Sequence, residues 1–283
     1  MKPRPTSLGM NLAKLSVYAT KVGRFGGLFL LLSQAYAAAA CLDPKIGVQA
    51  GVENNVWQEF ARDGKRLVRE EGKLPFAALD GQVSCNWGSL AVRGMLAQGT
   101  RGYSGVSSTG GALNTKSAIR NSDLMLTYSY EVHPRFEPFL SAGISRSKRD
   151  IQSAGPVLGY PEEFRMYPVK VGAKWRPFLF DDRLLLLAHV GTAYQPQVTA
   201  RLPGRDLLTL NLGRTVSVGV SAELELAKME QGQFLVAISW DSRRSEASSV
   251  GVVTRNGVAR GVASQPRNEL MQTQLSFLWR RSL

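Results

Sequence analysis

The chain has 283 residues, a formal charge of +13 and a mean hydropathy of −0.12. It has no uninterrupted run of about 18 apolar residues, so nothing in it reads as a membrane-crossing helix. Two histidines and two cysteines are too few, and too far apart, for a zinc pattern. In an exported chain the basic excess points away from nucleic acid and toward anionic lipid headgroups.

Residues 1–40 read as a cleaved secretory signal. Lys2, Arg4, Lys14, Lys21 and Arg24 carry charge without any acid, Phe25 to Leu32 is apolar, and Ala35 to Ala40 offers several Ala-x-Ala cleavage points. The basic part is long, so Met10 is an alternative start. Residues 41–283 form the mature domain. Cys41 follows Ala40 directly, which leaves two fates open: acylation as a lipoprotein, or a disulfide to Cys85 in an oxidising compartment. The bridge is the preferred reading.

From Lys45 onward the chain alternates apolar and polar residues in ten short stretches. The first sets Ile46, Val48, Ala50, Val52 and Val56 against Lys45, Gln49, Glu53 and Asn55. The second, from Ala77, sets Leu79, Val83, Cys85 and Trp87 against Asp80, Gln82, Ser84 and Asn86. A third runs from Leu90 to Gln98. The fourth places Leu124, Leu126, Tyr128, Tyr130 and Val132 opposite Asp123, Thr127, Ser129 and Glu131. The fifth covers Phe136 to Ser145. The sixth opposes Val169, Val171, Ala173 and Trp175 to Lys170, Lys174 and Arg176. The seventh, Leu184 to Tyr194, is apolar on both parities. In the eighth, Val216, Val218, Val220, Ala222, Leu224 and Leu226 alternate with Ser217, Gly219, Ser221, Glu223 and Glu225. The ninth carries Phe234, Val236, Ile238 and Trp240, and the tenth Leu275, Phe277 and Trp279.

A helical period would place Glu223 and Glu225 among the valines, so strands are the reading. The links discriminate a barrel from a soluble sandwich. Residues 60–76, 99–117, 147–163, 195–206 and 242–267 are long and polar; Trp87-Gly88, His133 to Arg135, Pro177 to Arg183 and Lys228 to Gly232 are short. This asymmetry predicts an all-β fold: a ten-stranded antiparallel transmembrane β-barrel in a bacterial outer membrane, with both termini periplasmic. Trp57, Trp87, Tyr130, Trp175, Tyr194, Trp240 and Trp279 are expected in interfacial belts. The inward parity carries both signs (Lys45, Glu53, Asp80, Arg93, Asp123, Glu131, Glu137, Lys170, Lys174, Arg176, Glu223 and Glu225), so the narrow lumen should close on ion pairs.

Groups for catalysis are scarce. His133 falls in a short turn and His189 in mid-strand, and neither neighbours a nucleophile or a second ligand in sequence. Ser107-Ser108 and Ser248-Ser249 have no loop histidine to activate them. Gly102, Gly105, Gly110 and Gly111 precede no helix and make no phosphate loop. No catalytic residue, metal or cofactor is assigned.

Several segments resemble the omptin family of outer-membrane proteases in their order: Asp123-Leu124-Met125-Leu126, Phe139 to Ile144, Gly159-Tyr160 with Phe164-Arg165-Met166, Ser217 to Val220, and Ala237 to Trp240. The resemblance spans about residues 45–283 and implies ten strands, five outer loops and cleavage between basic residues by an aspartate pair facing an Asp–His pair. The matching regions, Thr100 to Gly105 and Tyr194 to Arg205, lack the histidine, and the first lacks an aspartate. The expected function is therefore a non-enzymatic barrel whose loops bind an envelope or extracellular ligand, lipopolysaccharide in particular. Arg146, Lys148, Arg149, Arg201, Arg205, Arg243 and Arg244 are the candidate anion contacts, because guanidinium groups fit phosphate. An omptin-like protease, another outer-membrane enzyme and a small-solute channel are the alternatives. Expected partners are outer-membrane lipid, lipopolysaccharide and, during biogenesis, the barrel-assembly machinery.

Overall fold

The computed structural model describes residues 41–106, 111–230 and 232–283. The leader, Ser107, Ser108 and Gly110 lie outside the described residues. Thirteen strands follow in order: β1 (Cys41–Phe60), β2 (Arg66–Cys85), β3 (Gly88–Val106), β4 (Ala112–Ser129), β5 (Phe136–Ile151), β6 (Pro161–Trp175), β7 (Leu184–Ala200), β8 (Leu208–Asn211), β9 (Thr215–Met229), β10 (Gly232–Ser245), β11 (Gly251–Arg255), β12 (Val258–Ala263) and β13 (Arg267–Ser282). The wall pairings are antiparallel, β7 pairing with β9 and β10 with β13 across the strands that intervene in sequence, and the first strand meets the last from Lys45↔Ser282 to Phe60↔Arg267. With β6 also joined to β7, the ring closes as a ten-stranded antiparallel barrel that leaves no wall edge unpaired.

The two faces of the wall are inverted relative to a soluble protein. Outside, Val48, Val52, Leu79, Leu96, Leu126, Leu140, Val171, Val190, Val220, Ile238 and Leu275 are exposed; inside, Gln49, Glu53, Asn55, Ser129, Ser141, Ser217 and Ser276 are buried. Such a surface is stable only where acyl chains solvate it. The apolar outer residues occupy the half of the wall nearest the chain ends, the terminal end.

The strands outrun that belt. About ten residues suffice to cross a bilayer, whereas β1 and β2 have 20 each. The connections expected over 60–76 and 99–117 are mostly strand: β2 begins at Arg66, β3 runs to Val106 and β4 begins at Ala112. Above the belt the outer face meets water and the inner face mixes apolar with ionic side chains, so the contrast of apolar exterior and polar interior no longer marks a strand. Outward Arg69, Glu71 and Lys73 alternate there with inward Val68, Glu70 and Leu74.

Three further expectations change. Trp57 faces inward and is buried, 5.0 Å from the Phe164 ring centre, and belongs to no outer belt. Glu131 lies just beyond β4, exposed in a turn, and takes no part in the lumen. On β7 one extra residue bulges between its pairings with Tyr167 and Arg165, where Gln195 has φ +43°. Leu187 and His189 point inward before the bulge and Val198 and Ala200 after it, so inward parity switches there; over 184–194 apolar Leu185 and Leu187 stand on the inward parity, which leaves no polar face to read.

At the other end, the loop end, β8 continues the wall beside the tip of β7, pairing Leu210 with Val198. The β11–β12 hairpin folds against it. Leu208, Leu210, Leu212 and Val253 form one apolar cluster with the wall residues Trp57, Phe164, Val198 and Leu270.

Candidate functional site

Inside the wall, cross-strand reach sets every contact. At the terminal end Arg93 lies 3.7 Å from Asp80 and Arg280 3.6 Å from Glu223. Lys174 donates to Glu137 at 2.8 Å. At mid-height Lys170 Nζ donates to Asp241 Oδ2 at 3.1 Å, and His189 Nε2 lies 2.9 Å from the same oxygen. Glu53, wholly buried, accepts from Asn55 and, at 2.8 Å, from Gln274. Opposite charges paired this way satisfy one another where an isolated charge would be costly. A cavity of about 440 Å³ remains among them, bordered by Asp123, Lys170, His189, Asp241 and Arg243.

The lumen is stoppered at the loop end. Arg149 reaches three carboxylates from three strands: Glu162 through Nε at 2.8 Å, Glu59 through Nη2 at 2.8 Å and Glu70 through Nη1 at 3.2 Å. Arg101 stands 3.4 Å from Glu70, and all five side chains are buried. The Arg149 guanidinium also lies 5.1 Å from the Trp57 ring centre. Below this layer Leu74, Phe76, Ala97 and Ile119 pack as a second apolar cluster. Ionic and apolar layers together fill the mouth.

The outer wall above the belt carries a different arrangement. Glu163 on β6 is bracketed by Arg146 at 2.9 Å, Arg165 at 3.5 Å and Lys148 at 3.6 Å. Arg120 on β4 stands directly across from Lys148 on β5. A groove of about 950 Å³ runs over this face, lined by Gln98, Thr100, Arg120, Lys148, Thr199 and Arg201, with exposed Asp150 and half-buried Glu163 as acids on its outer side. One carboxylate orienting three cations leaves net positive charge and outward donors, suited to phosphate or sulfate oxygens.

The seven basic residues picked out in the sequence do not share one surface. Arg146 and Lys148 lie on the outer face beside Glu163, and Arg201 borders the groove. Arg205 is exposed in the link before β8. Arg149 and Arg243 point into the lumen, one at the centre of the stopper and the other on the cavity wall. Arg244 faces outward and pairs with Glu269 at 3.5 Å, in the part of the wall built by β10 and β13. Strand parity separates Lys148 from Arg149 and Arg243 from Arg244. Sequence reading did not pick out Arg120, Glu163 or Arg165, although each shares its strand parity with the outward apolar residues below it. It also did not find Glu59, Glu70 and Glu162, which no short motif links. Neither Cys41 nor Cys85 is a free thiol.

Comparison with protein-family models and with curated protein sequences gives no match. Among solved structures, the outer-membrane protease OmpT of Escherichia coli aligns with a TM-score of 0.51 at 12% identity, over 85% of this chain and 97% of that one. The attachment invasion locus protein Ail of Yersinia pestis aligns with a TM-score of 0.36 at 12% identity, over 84% of this chain and 99% of that one. The OmpT alignment shows a shared fold, the ten-stranded outer-membrane type of barrel.

Proposed function

We propose that the protein is a non-enzymatic barrel of a bacterial outer membrane, loop end outward and both chain ends periplasmic, and that its outer wall above the apolar belt holds lipopolysaccharide. The observation that carries this reading is the cluster of Arg146, Lys148 and Arg165 around Glu163, with Arg120 across from Lys148, on the same wall above outward Leu124, Ile144 and Val169. Acyl chains would lie on the apolar rows while the phosphates of the headgroup reach the cations two to four residues higher along the strands. The leader would be removed on export, and insertion would use the barrel-assembly machinery.

A protease reading finds less support. Omptin-type cleavage calls for an Asp–His pair at the loop bases, and the pair present here, His189 with Asp241, lies at mid-lumen beneath the stopper. Fluorogenic dibasic peptides should remain uncleaved.

The test is lipid A retained per barrel after exhaustive detergent washing of protein expressed in lipopolysaccharide-bearing cells. The Arg120→Ala/Lys148→Ala/Arg201→Ala variant should lose most of it, and Arg244→Ala should keep it. Equal retention by both variants would remove the support for this reading.

A further inference from the structure

The β11–β12 hairpin is held more firmly than a surface loop needs to be. Its turn, Asn256-Gly257, has both residues at positive φ (+52° and +75°), the geometry that matches strand twist in a two-residue hairpin. Asp206, from the link before β8, clamps that turn. Its carboxylate accepts from the Thr254 hydroxyl at 2.6 Å, the Gly257 amide at 3.0 Å and the Asn256 amide at 3.1 Å. The Asp206 amide donates to the Thr254 carbonyl at 2.9 Å. Gly251 and Val253 turn inward onto Leu208 and Leu210, where a Cβ on Gly251 would lie 2.4 Å from the Leu210 side chain.

The other side is unclad. Val252 and Val262 form a cross-strand pair facing away from the barrel, 58% and 71% exposed, and Val258 is 55% exposed. Strand β12 pairs only with β11 among the described residues, so one row of its amides and carbonyls has no strand beside it. Exposed edges are usually shortened, bulged or charged against pairing; this one has a bulge near the turn, then exposed valine. Its charge has one sign. Residues 251–263 contain Arg255 and Arg260 and no carboxylate.

We infer that β12 is a docking edge for an extended acidic segment of a partner protein, which adds to the hairpin as a third strand. Backbone hydrogen bonds would supply the affinity, valine–apolar contacts on the outward face the register, and Arg255 and Arg260 the preference for glutamate or aspartate. A second copy of this chain fits worse, because edge-to-edge pairing of two β12 strands sets arginine near arginine. The inference does not depend on lipopolysaccharide binding, which uses β4–β7 on the outer wall.

The experiment measures fluorescence anisotropy of a labelled ten-residue peptide, alternating glutamate with valine or threonine, against detergent-solubilised full-length protein. A matched lysine peptide and two N-methylated versions, blocked on one or the other row of amides, serve as controls. Saturable binding is expected for the glutamate peptide, at least tenfold weaker for the lysine peptide and for the Arg255→Glu/Arg260→Glu variant. One N-methylated version should bind and the other fail. The lipid A retained by that variant should be unchanged, which keeps this test separate from the lipopolysaccharide test. Absence of saturation with the glutamate peptide, equal binding of both charge types, indifference to N-methylation, or a stable dimer cross-linked through β12 would each overturn the proposal.

Discussion

His189 and Asp241 stand two strands apart and touch only because Gly219, on the strand between them, has no side chain. The row runs His189 on β7, Gly219 on β9, Asp241 on β10. Nε2 and Oδ2 meet across it at 2.9 Å. A Cβ built on Gly219 would fall 2.4 Å from His189 Cε1 and 2.9 Å from Asp241 Oδ2. Gly219→Val should therefore force both side chains off their positions and cost about 1–3 kcal/mol, as overpacking of a filled interior does. Gly219→Ala should cost less, because the tips of two side chains can yield. The midpoint of heat-modifiable gel migration reads both; an unshifted valine variant would contradict the contact.

Lys148 and Arg149 are adjacent in sequence and opposite in role. Arg149 is 3% exposed among three carboxylates, while Lys148 is 56% exposed on the outer wall. Arg149→Met leaves Glu59, Glu70 and Glu162 buried with only Arg101 nearby, and should destabilise the barrel by roughly 3–5 kcal/mol. Lys148→Met should stay within about 0.5 kcal/mol of the parent. Denaturant unfolding in detergent distinguishes them, and equal effects would mean that the stopper is not built as described.

Asp206 tethers the β11–β12 hairpin through its charge. The Thr254 hydroxyl and after it the Gly257 amide outweigh desolvation and, with a lesser part from the Asn256 amide, hold its carboxyl below the ordinary carboxylate range. A folded-state pKa below the unfolded value, about 3.9, means the tether is fully present above that value. It is lost as pH falls through the depressed folded one. The Gly257 amide resonance should titrate with a midpoint below that of a free aspartate, and Asp206→Asn should abolish the titration. A midpoint at or above the free value would contradict the tether.

The cysteines separate two processing routes by mass. Cleavage after Ala40 with a Cys41–Cys85 bridge predicts a mature chain lighter than its dithiol by two hydrogens, restored on reduction. An acylated Cys41 would instead appear heavier by its lipid and leave Cys85 open to alkylation.

The sequence carried the belt-crossing half of each strand clearly, because there one face meets lipid and the other a polar lumen. The parity of Val216 to Leu226 against Ser217 to Glu225 is the simplest case, and β9 has that register. The upper wall was opaque for the same reason in reverse. Where Lys116, Arg120, Arg146 and Arg165 face water, the inward parity mixes apolar Ile119 and Phe164 with charged Arg149 and Glu162, and strand reads as loop. The stopper was harder still. Glu59, Glu70, Arg101, Arg149 and Glu162 come from five strands, and only barrel closure brings them together. Inward Leu185 and Leu187 hid the parity of β7, and inward Trp57 looked like a belt tryptophan because aromatic residues serve both places.

A wall that is apolar outside and polar within the belt can be tested directly with the chain's five tryptophans. Two single-tryptophan proteins, one keeping outward Trp240 and the other inward Trp57, with the remaining four replaced by phenylalanine, can be reconstituted in vesicles with brominated acyl chains. Trp240 fluorescence should be strongly quenched and Trp57 fluorescence left nearly unchanged. Equal quenching of the two, or none at Trp240, would contradict a barrel whose exterior is bathed in lipid.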